Sequence, residues 1–84
     1  MMYEQQINEY ISQSIVPKHK EIMKFHSHVP KYDFGIGIEF IFRVRFNMLK
    51  DELYALRYSI ESDLKECYDK FGLEYNFMII LSTF

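Results

Sequence analysis

Residues 34–46 read FGIGIEFIFRVRF, and this stretch decides the fold because apolar residues occupy every even position in it. They are Phe34, Ile36, Ile38, Phe40, Phe42, Val44 and Phe46. A period of two places all of these side chains on one side of a β-strand, whereas no face of a helix can collect them. The stretch therefore predicts a strand with one dry face, and Gly35 and Gly37 predict a bend or bulge at its start.

The composition predicts a single domain over residues 1–84. Of these residues, 49% are hydrophobic and 18% are aromatic, which is typical of a packed core. A formal net charge of -2 gives no field that attracts polyanions, so nucleic-acid binding is not expected. The single cysteine, Cys67, favours a reducing compartment. Because no apolar run is long enough to span a bilayer, we expect a soluble cytoplasmic chain without direct membrane insertion.

The sequence before the central stretch predicts a helix and a weaker strand. Apolar spacings of three and four predict a helix over residues 3–15, which Pro17 ends by pushing Val16 out of the helical region. Residues 21–29 then predict a strand that forms an antiparallel hairpin with the central one. On one side of this strand we expect Met23, Phe25 and Val29, and on the other Ile22, Lys24, His26 and His28.

The sequence after the central stretch predicts the longest helix and a last strand. Asn47 is the predicted N-cap of the helix, and Gly72 is the predicted left-handed residue that ends it. Its predicted core stripe is Leu49, Leu53, Leu56, Ile60, Leu64, Cys67 and Phe71. Residues 74–83 alternate again. The order helix, strand, strand, helix, strand predicts an α+β two-layer sandwich, with a small antiparallel or mixed sheet and both helices on one face, as in ferredoxin-like domains.

The face of the sheet turned away from the helices is the predicted interaction surface. By alternation it carries Glu39, Ile41, Arg43 and Arg45 of the central strand and Met78 and Ile80 of the last. Of these, Glu39, Ile41, Arg43, Met78 and Ile80 are the predicted interface. The three apolar members form one patch if the central and last strands are neighbours. Because a second chain would cover such a patch, the sequence predicts a homo-oligomer.

His26 and His28 are the candidate metal ligands. Two residues apart on a strand, they point the same way with Cα atoms about 7 Å apart, so that two imidazoles can share zinc or another transition metal. The rest of the shell would come from His19, Glu21, Asp33 or Glu39. The alternative is a pair of solvated histidines beside a turn and no cofactor.

The sequence contains no motif that predicts catalysis. A nucleophile elbow, a zinc-protease motif and a phosphate-binding loop are all missing, so we expect no enzymatic activity. Residues 35–38, Gly-Ile-Gly-Ile, invite comparison with the core octamer of an RNA-recognition motif. However, Ile36 and Ile38 stand where that motif has aromatic rings that stack on bases.

Residues 56–77, LRYSIESDLKECYDKFGLEYNF, resemble the carboxy-terminal cytoplasmic domain of the small-conductance mechanosensitive channel family. In that family a helix ends in Gly-Ile-Glu, and a strand with proline and phenylalanine follows. Gly72, Leu73, Glu74 and Phe77 match this pattern, and Asn76 stands at the position of the proline. The resemblance implies a non-enzymatic, oligomerising regulatory or scaffold domain attached to a parent membrane protein.

A second resemblance leads to a different partner. The element order, with His26 ahead of a strand and Ile60-Glu61 and Leu64-Lys65-Glu66 in the last helix, is similar to the cytoplasmic tail of cation diffusion facilitators. It implies a metal-sensing dimer, although the last-strand histidine of that family falls near Ile79 or Ile80 here. A third interpretation is a small free-standing protein, viral or from a mobile element, that binds and inhibits a host protein.

Overall fold

A computed structural model describes residues 3–29 and 37–83, and its helices and strands lie within these ranges. Helix α1 spans Glu4–Tyr10 and continues through a π-helical segment, Ile11–Ile15, into a 3-10 turn, Val16–Lys18. The remaining elements are β1 (Ile22–His28), β2 (Ile38–Val44), α2 (Lys50–Lys70) and β3 (Phe77–Ser82). The predicted order of helix, strand, strand, helix, strand is confirmed. The predicted strand residues Phe34, Gly35 and Ile36 lie outside the described ranges.

The three strands form a mixed sheet with β2 in the centre. β1 pairs with β2 in antiparallel orientation, and β3 pairs with β2 in parallel orientation. A parallel neighbour requires a crossover connection, and α2 provides it. Four described residues of the predicted dry face are fully buried: Ile38, Phe40, Phe42 and Val44 are each at most 1% exposed. Phe46, which the same alternation places on that face, lies beyond the end of β2 and is 83% exposed, so the prediction is wrong for this residue. The four buried residues form one core with apolar residues of both helices, so both helices cover the same face of the sheet.

β1 departs from the predicted alternation at its first residues. Its pairing with β2 shifts between Ile22 and Lys24, and as a result Ile22 is buried in the core whereas Met23 is 70% exposed. The prediction that Ile22 shares a side with Lys24 and the histidines is therefore wrong. The reason is that an extra residue in a strand reverses its parity. Beyond the bulge Phe25 packs against the core, so Met23 does not share its side as predicted.

The first helical stretch does not stop before Pro17. Val16 keeps helical dihedral angles, with φ of −59° and ψ of −47°. Proline is tolerated in the first positions of a helical turn because the N–H group that it lacks has no partner there. The chain therefore turns through Pro17 in the 3-10 segment, and the prediction for Val16 is wrong.

Helix α2 begins two residues later than predicted. Its N-cap is Leu49, whose N–H donates a hydrogen bond of 2.9 Å to Oε1 of Glu52. The predicted N-cap, Asn47, instead accepts a hydrogen bond of 2.8 Å from Nη1 of Arg45. Leu49 is consequently 70% exposed and does not belong to the core stripe.

The end of α2 follows the prediction. Gly72 has a φ of +66°. The N–H of Leu73 donates to the carbonyl of Tyr68 at 2.9 Å, and the N–H of Gly72 donates to that of Asp69 at 3.1 Å. This is the Schellman arrangement, in which a left-handed residue lets the last carbonyls of a helix find donors.

Tyr68 places a polar atom in the middle of the core. Its side chain is fully buried, and within residues 3–29 and 37–83 its hydroxyl has no hydrogen-bond partner. Loss of solvation raises the pKa of Tyr68 to about 12, because the phenolate is disfavoured away from water.

We expect Tyr68→Phe to raise the free energy of unfolding by about 1 kcal/mol at neutral pH, because a buried unpaired hydroxyl costs about 1–3 kcal/mol. A second effect appears in alkali. Above the ordinary tyrosine pKa of 10.0 the unfolded chain releases the Tyr68 proton while the folded chain retains it, so folding stability falls as pH rises. Tyr68→Phe removes this loss of stability in alkali. The difference in free energy of unfolding between the variant and the unmutated protein therefore grows by about 1 kcal/mol per pH unit between pH 10 and 12. Urea denaturation at pH 7 and pH 11 measures both effects.

The matched control for this prediction is Tyr75→Phe. Tyr75 is exposed, and its hydroxyl donates to Oδ1 of Asp69 at 2.6 Å. Its removal relieves no buried unpaired group, so we expect no gain in stability at pH 7. A loss of stability in Tyr68→Phe would contradict the interpretation of the buried hydroxyl.

Candidate interaction face

The open face is the side of the sheet turned away from the two helices, and strand pairing arranges its residues in three rows across β1, β2 and β3. The rows are Lys24, Arg43 and Ser82; His26, Ile41 and Ile80; and His28, Glu39 and Met78. Neighbouring strands lie about 4.8 Å apart, so the side chains of one row are immediate neighbours. The five residues that alternation assigns to the interaction surface thus lie together on this face.

An apolar strip runs across the open face from β2 to β3. Ile41 pairs directly with Ile80, and Met78 lies one row away on the same strand. Both isoleucines are half-buried, and Met78 is 44% exposed. Alternation alone predicts each of these positions. Their contiguity depends on the parallel pairing of β2 with β3, which the sequence left open.

Charged groups flank the apolar strip at both ends. Nδ1 of His28 lies 3.0 Å from Oε1 of Glu39, across the β1–β2 pair. Arg43 is exposed at the other end. Among the described residues, neither the Arg43 guanidinium nor Oε2 of Glu39 has a hydrogen-bond partner. The face therefore offers a carboxylate oxygen on one side of Ile41 and two cations, Arg43 and its row neighbour Lys24, on the other.

The two outer edges of the sheet are less suited to association than its face. On β3, Nη1 of Arg57 donates to the main-chain carbonyl of Ile79 at 2.6 Å and so takes up an acceptor of the edge strand. On β1, the bulge at Met23 interrupts the regular ladder that an added strand would extend. Bulges and charged side chains are common means by which edge strands avoid pairing with other chains.

The structure brings part of the predicted metal site together. His26 and His28 both lie on the open face, and His28 contacts the proposed ligand Glu39, whereas His19 lies near Ser59. The other proposed ligand Asp33 is outside the described residues. In the part of the chain that the structure describes, no group of three or more His, Cys, Asp or Glu side chains is arranged to hold a metal ion. Metal binding by His26 and His28 stays a prediction.

A cavity with a mixed polar and apolar lining, which sequence reasoning missed, lies beside α2. Its volume is about 260 Å³, and its lining residues are His19, Glu21, Met48, Glu52, Ala55, Leu56 and Ser59. Ser59 and His19 are 40 residues apart in the chain, so no local pattern could have revealed the pair.

The polar groups of this cavity connect elements of the fold. Oγ of Ser59 lies 3.3 Å from Nε2 of His19, which is longer than the roughly 2.6–3.2 Å expected for a serine activated by histidine. Nη2 of Arg45 donates to Oε2 of Glu52 at 2.7 Å. The Leu49 N–H and then Arg45 lower the pKa of the Glu52 carboxyl, which is therefore ionised at neutral pH. These contacts tie the residues before β1, and the turn after β2, to α2.

No protein-family model, curated protein or solved structure matches this chain. Neither described helix combines the length and the apolar character that a bilayer crossing requires. Function must therefore be inferred from the chemistry of the open face, and the resemblances to channel and transporter tails stay predictions.

Proposed function

We propose that this protein is a non-enzymatic module that associates with itself through the open face, and that it regulates or scaffolds a larger assembly in that form. The observation that carries the proposal is the apolar strip of Ile41, Ile80 and Met78 on a face that neither described helix covers. Burying such a strip between two chains removes apolar surface from water, which is the main driving force of association.

The obstructed outer edges of β1 and β3 favour association through the open face over the addition of a strand at an edge. Arg57 takes up an acceptor on β3, and the Met23 bulge distorts β1, so an added strand meets an obstacle on both sides. Stacking of one open face on another does not require free main-chain groups. It requires only complementary side chains at the usual spacing of about 10 Å between packed sheets.

The parent assembly that we propose first is a channel of the mechanosensitive type, of which this chain would be a cytoplasmic tail. The residues that carry the resemblance fall at an element boundary: Gly72 ends α2, and Phe77 begins β3. The second proposal is a cation-transporter tail. The two differ in stoichiometry, because a heptamer favours the channel tail and a dimer favours the transporter tail.

Ile41→Glu tests the proposed face. Placing a carboxylate at the centre of the apolar strip would require its desolvation on association, so we expect the oligomer to dissociate to monomers at concentrations where the unmutated protein is assembled. Sedimentation velocity over about 10 to 500 μM covers the range expected for a small interface. Circular dichroism establishes that the variant is folded.

The matched control is Tyr58→Glu, which introduces the same charge at a residue of α2 that is 77% exposed. This variant should assemble like the unmutated protein. A monomeric unmutated protein at the highest concentration would refute the proposal, as would an Ile41→Glu variant that assembles normally. A stoichiometric complex with a host protein would instead favour the free-standing inhibitor.

A further inference from the structure

The open face of β2 carries opposite charges at equal distances from Ile41. Glu39 and Arg43 are opposite in sign and stand at equal distances, two residues each, on either side of Ile41. Their Cα atoms lie about 7 Å from that of Ile41 in a regular strand. Both residues point away from the core, since the alternate positions Phe40 and Phe42 are buried.

We propose that the occupant of the open face is a second copy of this chain, packed face to face with its β2 running in the opposite direction. A twofold axis between the two Ile41 side chains then places Glu39 of each copy opposite Arg43 of the other. Isologous contacts require such a self-complementary surface. This inference rests on the self-association in the proposed function, to which it adds the partner, its orientation and the contacts that select it. A twofold dimer is the stoichiometry of the transporter tail and not that of the channel tail.

The unpaired groups of the face support this arrangement. Oε1 of Glu39 is engaged by His28, whereas Oε2 and the Arg43 guanidinium have no partner within residues 3–29 and 37–83. The second copy would supply both missing partners in two symmetry-related pairs. The parallel arrangement instead brings Glu39 against Glu39 and Arg43 against Arg43, and juxtaposed like charges disfavour a wrong docking mode.

The apolar strip fits the same axis. Ile80 lies in the row of Ile41, so it meets Ile80 of the second copy across the axis. On β3, Met78 and Ser82 lie two residues before and two residues after Ile80. The twofold axis reverses their order in the second copy, so Met78 of one copy approaches Ser82 of the other. The centre of the contact is therefore aliphatic, and its ends are polar or charged, which is the usual layout of an interface core and rim.

The size of the face predicts a weak dimer. Three strands about 4.8 Å apart, with rows that span about 13 Å, give each copy a contact patch of roughly 300 Å², including side-chain reach. Stable complexes bury about 800 Å² per partner, so we expect a dissociation constant in the micromolar range or above. At this affinity two reciprocal ion pairs have a measurable effect.

Charge reversal tests the orientation. Glu39→Arg creates two Arg–Arg contacts across the axis, and Arg43→Glu creates two Glu–Glu contacts, so we expect each single variant to dimerise at least about tenfold more weakly. The double variant Glu39→Arg with Arg43→Glu restores both pairs and should dimerise within about threefold of the unmutated protein. Arg43→Glu leaves the contact between His28 and Glu39 untouched, so its effect does not depend on that contact.

Mixing the two single variants provides the sharpest measurement. One variant has two arginines at these positions and the other has two glutamates, so an equimolar mixture should form a one-to-one heterodimer although each variant alone is monomeric. Sedimentation velocity or native mass spectrometry detects this recovery. Circular dichroism spectra of all variants should coincide, because both substituted positions lie on the open face.

The outcomes separate this inference from the proposed function. If Ile41→Glu dissociates the oligomer but the charge reversals have less than a twofold effect, the face is the interface and the antiparallel orientation is wrong. A cyclic heptamer would also overturn the twofold arrangement while leaving self-association intact. A monomeric unmutated protein would overturn both.

Discussion

Replacing Gly37 with alanine is expected to lower the free energy of unfolding by about 3 kcal/mol or more, the sum of two costs. The first cost is conformational, because Gly37 has a φ of +72°, a backbone angle that residues with a Cβ atom rarely adopt. The second is steric. An added Cβ would lie 2.0 Å from the main-chain oxygen of Asn76 and 2.7 Å from Cγ of the same residue. The chain entering β2 would therefore have to move away from the chain entering β3.

The matched control is Gly72→Ala. Gly72 has a similar φ of +66°, but nothing lies within 4 Å of the position of its Cβ. This variant therefore incurs only the conformational cost, which is about 1–2 kcal/mol. Urea denaturation followed by circular dichroism gives both values, and their difference isolates the close approach to Asn76. Equal losses for the two variants would mean that this approach is not a constraint on the fold.

Phe40→Ala is the second large effect, with an expected loss of about 3–5 kcal/mol. Phe40 is fully buried at the centre of β2. Its ring centroid lies 6.3 Å from that of Phe25, 6.5 Å from that of Tyr68 and 6.0 Å from that of Phe77. Removing the ring leaves a cavity between β1, β3 and α2 that none of these neighbours can fill without leaving its own place.

A loss of this size is comparable to the total stability of a small domain, about 5–15 kcal/mol, so Phe40→Ala is best measured beside a milder variant. Phe40→Leu keeps most of the volume and should lose less than half as much. Ile41→Ala, on the opposite face of the same strand, should cost about 1 kcal/mol in the monomer because Ile41 is only half-buried. Similar losses for Phe40→Ala and Ile41→Ala would contradict the assignment of the two faces.

Alternation and helical spacing predict most of the core of this protein, but they miss Tyr68 and Ile22, which are buried, and wrongly include Leu49. The even residues of β2 are buried because a pleated strand allows no other arrangement, and the stripe from Leu56 to Cys67 follows from the helical repeat. Gly72 was predictable because a helix end needs a residue with positive φ. All of these features depend on residues close together in the sequence.

The features that differed from prediction have different physical causes. The bulge at Met23 is defined by pairing with β2, and nothing in residues 21–29 signals the extra residue. Asn47 has a side chain that can act as an N-cap, but its oxygen accepts a hydrogen bond from Arg45. The N–H of Leu49 donates to Glu52 instead. At the start of α2 one local contact thus replaces another, because side chains only two or three residues away occupy the groups concerned.

The candidate site was predictable residue by residue, but its arrangement was not. Alternation assigns Glu39, Ile41 and Arg43 to one side of β2 and assigns Met78 and Ile80 to one side of β3. Whether β3 lies next to β2, and in which direction, depends on the crossover through α2. The same pairing also adds two residues that the sequence did not single out for this surface, Lys24 and Ser82.

The hydrogen bond from Arg57 to Ile79 has a consequence for how large an assembly can grow. A twofold contact between open faces uses up the surface of both copies and stops at two chains, whereas strand addition at an edge regenerates a free edge with every copy and has no natural end. By occupying a carbonyl of β3, Arg57 opposes the second kind of growth. This one side chain therefore favours a closed complex of defined size over a fibre.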